Sequence, residues 1–103
     1  MNEEQLATTA KALAHPARVR IVRLLAAQNE CRGHDVFAGL PLAQSTISQH
    51  LRVLKDAGVI LSPAIGTSMV YCLNKPVLEE FVNALGEIAS DAATCDPGQG
   101  ESR

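Results

Sequence analysis

The stretch AQSTISQHLRVLKDAGVI, residues 43–60, decides how this chain folds. Ile47, Leu51 and Leu54 recur at spacings of four and three, which draws one apolar stripe along an α-helix. Ser45, Ser48, Gln49, Arg52 and Lys55 fall on another face, which is short, polar and basic. Gly58 stands where a left-handed residue ends a helix, and Val59-Ile60 opens an extended segment. A helix seated by one stripe, with hydroxyls, amides and a guanidinium on its other face, has the chemistry to meet base edges and phosphates. The same face on a protein-interaction module would meet a partner protein, so the surrounding sequence decides between the two.

Upstream, residues 3–14 predict a first helix with Leu6, Ala10 and Leu13 on one side. His15-Pro16 breaks it, because the residue before proline is pushed out of the helical region. Pro16 then suits the first turn of a second helix, in which Val19, Val22 and Leu25, or Ile21, Leu24 and Leu25, face inward. A short third helix is expected between His34 and Ala38, closed by Gly39, with Leu40-Pro41-Leu42 as the tight turn into the fourth. Short helix, turn and polar amphipathic helix make a helix-turn-helix. Downstream, VILSPAIGTSMVYCLN (59–74) predicts a β-hairpin with strands 59–62 and 68–73, the place of a wing. Asn74 can cap a last helix with Pro76 in its first turn and Leu78, Phe81, Val82, Leu85, Ile88 and Ala89 on its apolar face. The expected order is α-α-α-α-β-β-α, a mainly α winged helix-turn-helix over residues 1–95. Residues 96–103 are expected to form a flexible tail.

The 103 residues, 47% of them hydrophobic, suffice for one domain with a modest core of Leu, Val, Ile and Ala. The net charge of −2 hides an uneven distribution. Residues 1–75 carry eight Lys/Arg against five Asp/Glu, whereas residues 76–103 carry one against six. A basic reading portion and an acidic C-terminal portion let one face approach DNA while the other stays away. With no apolar run long enough for a bilayer and no cationic-then-apolar leader, the expected location is the cytoplasm, away from membranes. Three widely spaced cysteines do not form the pattern of a stapled secreted domain and are expected as thiols. No phosphate-cradling loop, HExxH or nucleophile elbow points to an enzyme.

HPARVRIVRLL (15–25), QSTISQHLRVLKDAGVI (44–60) and the wing bearing Tyr71 together resemble the ArsR/SmtB family of bacterial winged-helix repressors. The resemblance runs over residues 5–90. It implies a homodimer built through the first and last helices and seated on an inverted-repeat operator in double-stranded DNA. It also implies release of that DNA when an inducer binds, often a metal or metalloid ion. DNA binding itself is expected to require no cofactor. Gln44, Ser45, Thr46, Ser48, Gln49, His50 and Arg52 are the DNA-facing candidates. Gln can read adenine, Ser and Thr reach phosphate or base edges, and Arg reads guanine or grips phosphate. His50 either meets phosphate or holds a helix end in place. The arginines of the second helix read as a solvated face, Arg18 being the best exception.

Two of the family's metal patterns are incomplete in this chain. The Cys-x-Cys-Asp motif is replaced by Cys31-Arg32-Gly33-His34-Asp35, with one cysteine, and residues 76–94 contain no histidine. Ser62 to Met69 of the wing carries no charge. The preferred expectation is thiol-based sensing of a soft ion, with Cys31 as principal ligand and Cys95 and Cys72 completing the set. Trivalent arsenic or antimony stands ahead of Cd(II), Pb(II) or Zn(II), since the trivalent ions favour three thiolates. Cys31, His34 and Asp35 also fall within about one helical turn of each other as a mixed ligand set. Cys72 has a competing reading as an inward-facing core residue on its strand. The alternatives are a reversible disulfide between two of these cysteines and a repressor with no inducer.

Overall fold

The computed structural model describes residues 1–28 and 30–92. Cys95, the boundary expected there and the 96–103 segment lie outside the described residues.

Helix α1 (Glu3–Leu13) starts on a capping box. The Gln5 amide donates to Asn2 Oδ1 at 2.7 Å, and the Asn2 amide donates to Gln5 Oε1 at 2.9 Å, so two free donors are satisfied reciprocally. Helix α2 (Pro16–Ala26) opens on Pro16, with His15 as its N-cap. The expected third helix is a single 3-10 turn, His34–Phe37. Between Gly33 and Gly39 there is room to close three-residue bonds (Val36 to Gly33, Ala38 to Asp35) but not an α-helical ladder. Helix α3 (Gln44–Asp56) follows, and Gly58 ends it at φ 79°, the left-handed value that favours glycine.

The wing differs in detail from one continuous hairpin. It consists of β1 (Ile60–Leu61), β2 (Ala64–Ile65), β3 (Ser68–Met69) and β4 (Cys72–Leu73). β1 pairs antiparallel with β4, and β2 pairs with β3 at the tip. The interruption falls at Pro63, which has no N–H to give to a ladder. Its carbonyl still accepts from the Val70 amide at 3.1 Å. Helix α4 (Lys75–Asp91) closes the described chain. Asn74 occupies its N-cap position, but the side chain makes no capping bond. It donates instead to the Gly58 carbonyl at 2.9 Å, satisfying the group that the left-handed turn at the end of α3 leaves free.

Phe37, Ile21, Leu54, Val59 and Ile60 form the fully buried centre, joined by Ala12, Leu25, Ile47 and Leu51. Each large side chain there contributes about 1.5–3 kcal/mol on leaving water. All three residues of the predicted α3 stripe are in this core. α2 settles on the Ile21/Leu25 register, and Val19 stays at the surface. α1 departs from expectation. Its buried face is Thr9 and Ala12, while Ala10 is exposed and Leu6 and Leu13 are half-buried. Thr9 can occupy the core because its hydroxyl donates back to the Gln5 carbonyl at 3.0 Å, leaving its methyl group to pack. α4 has no buried residue, and Val82, Leu85 and Ile88 are 64%, 46% and 59% exposed.

Candidate nucleic-acid interface

The buried stripe of α3 fixes the helix by one side and leaves the other to solvent. Gln44, Ser45, Ser48, Gln49, Arg52 and Lys55 are exposed, and Thr46 and His50 are half-buried at the edge. The first turn of α3 contains no acidic residue, and its N-cap, Ala43, has no side chain to accept a bond. Backbone donors at that end are therefore not satisfied by a side-chain cap. On one flank, Ser48, Arg52, Lys55 and Asp56 share a groove with Ser62, Met69 and Tyr71 of the wing region. On the opposite flank, His50 turns towards the α1–α2 junction. The candidate DNA-facing residues thus lie on one helix, split between a wing side and an α2 side.

On the α2 side, the Arg18 guanidinium donates through Nε to the Ala12 carbonyl at 2.7 Å and through Nη1 to His50 Nδ1 at 3.3 Å. The ring of His15 lies 4.5 Å from that of His50, centre to centre. Burial, then the neighbouring His15 and Arg18, hold the His50 pKa below its ordinary 6.5. Sequence reasoning left His50 undecided and did not join His15 to it. The dipeptide His15-Pro16 followed by Arg18 was the visible signal.

The cysteines give the main correction. Cys31 and Cys72, expected as thiols, form a disulfide with Cα atoms 4.6 Å apart. The backbone explains why. Arg32 and Tyr71 exchange both of their amide–carbonyl bonds, at 3.1 and 2.7 Å, as an isolated antiparallel bridge. The next rung, Cys31 opposite Cys72, is then a non-hydrogen-bonded pair, in which Cα atoms approach to about 4.5 Å and side chains are closest. Cys72 pairs through its other edge with Leu61 of β1. The bond therefore joins the segment entering the 3-10 helix to the returning strand of the wing.

The mixed set Cys31, His34 and Asp35 does not converge. Asp35 meets Arg32 at 3.5 Å. His34 is turned inward between Phe37 and Tyr71, at ring distances of 5.5 and 5.9 Å, and its Nε2 is buried without a partner. Among the described residues no three His, Cys, Asp or Glu side chains are grouped for a metal. Cys95 lies outside them.

A helix-turn-helix with a basic, polar second helix and a hairpin wing defines a winged-helix DNA-binding protein. Residues 15–62 match the model of the bacterial regulatory protein, arsR family. The HTH-type transcriptional regulator Rv0081 of Mycobacterium tuberculosis is 35% identical over 85 residues, covering 79% of this chain and 75% of that protein. The HTH-type transcriptional regulator CmtR of the same organism is 32% identical over 99 residues, covering 96% of this chain and 80% of its own. The solution structure of the homodimeric winged helix-turn-helix DNA-binding domain of Mb0332 from Mycobacterium bovis superposes with a TM-score of 0.65. It is 29% identical and covers 85% of this chain and 80% of that one. The chain belongs to the ArsR family of transcriptional regulators, which is not a family of enzymes. Among the described residues no helix is long and apolar enough to cross a membrane.

Proposed function

We propose that this regulator is a cytoplasmic, homodimeric repressor that holds an inverted-repeat operator and releases it in response to thiol chemistry at Cys31 and Cys72. The observation that carries the reading is the pairing of these two cysteines across one rung between the wing and the entry to the helix-turn-helix. In a reducing compartment the resting state is the dithiol. An oxidant that takes two electrons, with loss of two thiol protons, closes the sulfur–sulfur bond; a cellular thiol reverses it by exchange. Closing the bond fixes the wing root to the segment leading into the 3-10 helix, and so resets the wing against α3. A shift of the half-site geometry needs a few kcal/mol of differential affinity between the two states.

A second reading rests on the same juxtaposition. Reduced, the two sulfurs are a dithiol seat for a thiophilic ion, and Cys95 would supply the third thiolate that As(III) or Sb(III) favours. Cd(II), Pb(II) and Zn(II) are weaker candidates for the same seat.

One mobility-shift series on the DNA upstream of the protein's own gene tests both readings. The complex should form under reductant and weaken at least about tenfold on addition of diamide, a loss of ~1.4 kcal/mol. Cys31→Ser and Cys72→Ser should abolish that response. Release by arsenite or cadmium, lost with the same variants and with Cys95→Ser, would select the ion reading. Equal binding under every condition leaves an inducer-free repressor. Arg52→Ala serves as the operator control and should cost about 1–3 kcal/mol of affinity. No shift under any condition would select the protein-interaction module.

A further inference from the structure

We propose that His15, Arg18 and His50 form a seat for a DNA backbone phosphate on the flank of α3 opposite the wing. The three side chains come from separate places: the α1–α2 junction, the first turn of α2 and the middle of α3. The bonds they make fix where their protons are. A guanidinium has no acceptor, so the 3.3 Å contact requires His50 Nδ1 to be unprotonated, with its hydrogen on Nε2. The Ala17 amide donates to His15 Nδ1 at 3.0 Å, which places the hydrogen of His15 on Nε2 as well. Arg18 spends Nε on Ala12 and Nη1 on His50, leaving Nη2 free among the described residues. Two Nε2–H groups and half a guanidinium thus remain as donors on three side chains in contact, the two rings lying 4.5 Å apart.

Among the described residues no carboxylate answers them. The one ion pair among the described residues is Arg32–Asp35, elsewhere in the fold. His15 also borders a cleft of about 280 Å³ that it shares with Arg20 and with Leu40, Pro41 and Leu42, the turn leading into α3. A cluster with donors left over, one fixed positive charge and no carboxylate beside it among the described residues is a site for an anion. His50 identifies the anion. It follows Gln49 on the reading helix and stands one turn after Thr46 on the same flank, away from Arg52 and Lys55. A helix lying in the major groove has a row of phosphates along each flank. The wing-side residues face one row, and the His15–Arg18–His50 cluster faces the other. Because Arg18 is also bonded to the end of α1, the seat is held in place before DNA arrives.

A phosphate contact carries no sequence information, so a random-sequence duplex is the right probe, with binding followed by fluorescence anisotropy over a range of salt concentrations. Arg18→Gln removes the charge and should make the log–log salt dependence shallower by about 0.9 for each protomer engaged. His15→Asn keeps an N-cap for α2 but loses the Nε2–H. It should weaken binding several-fold on random and operator duplexes alike. A folded Arg18→Gln protein with the wild-type salt slope overturns the proposal and leaves the cluster as a strut between helices. Should that variant not fold, nitrogen-edited NMR of the wild-type protein decides. The His15 and His50 Nε2–H signals should shift and exchange more slowly on adding the random duplex; unmoved signals overturn the seat.

Discussion

His50 links α3 to the body of the protein, and its protonation is tied to folding. Burial first, then His15 and Arg18, hold its pKa below 6.5. Between the folded and unfolded values the unfolded chain binds the proton and the folded chain does not. The stability this provides is complete above pH 6.5 and is lost as pH falls from there through the lower folded value. The melting temperature should drop on acidification through this window. His50→Gln, whose amide oxygen can still accept from Arg18, should flatten the drop relative to wild type. Identical pH profiles for the two proteins would refute the assignment. At this scale the sequence was informative about α3 and less so about α1. Three apolar residues at spacings of four and three leave a helix one way to sit. In α1 a threonine could displace alanine from the core because its hydroxyl finds the carbonyl one turn back.

Among the elements, the wing and the helix-turn-helix are joined by sulfur. The Cys31–Cys72 bond closes a loop of 41 residues that contains the 3-10 helix, α3 and most of the wing. On chain-entropy grounds, opening such a loop lowers stability by about 4 kcal/mol. Urea unfolding with and without reductant should show a lower midpoint for the reduced protein. Cys31→Ser/Cys72→Ser should behave like the reduced form in both media, and coincident curves for oxidised and reduced wild type would exclude a stabilising bond. The order of helices and hairpin was legible from apolar periodicity, from proline and glycine at the junctions, and from the β-branched stretch at 59–74. The cysteine pairing was not. It depends on a two-residue bridge, Arg32 with Tyr71, made by an irregular segment with no strand pattern of its own. The split of the wing at Pro63 was readable in principle, since proline cannot donate to a ladder.

For the whole molecule, an uncovered apolar surface lies on α4. Its Val82, Leu85 and Ile88 face solvent in the single chain, and it rests on α1, whose Ala10 is also exposed. A second copy, related by a two-fold axis, would cover both helices with the same surfaces. Sedimentation equilibrium at micromolar concentration should return twice the chain mass of 10.9 kDa. Val82→Glu with Leu85→Glu should return one chain mass and lose operator binding. A single chain mass for the wild-type protein would defeat the dimer. The exposed α4 has a consequence for turnover. In the single chain α4 is held by Leu78 against the core and by α1, while its outer apolar face is uncovered. If copies pair through that face as predicted, pairing would withdraw it from proteases that sparse, unpaired chains leave it open to. The lifetime of this regulator would then lengthen as its own concentration rises, making degradation a brake on sparse copies and a reprieve for abundant ones.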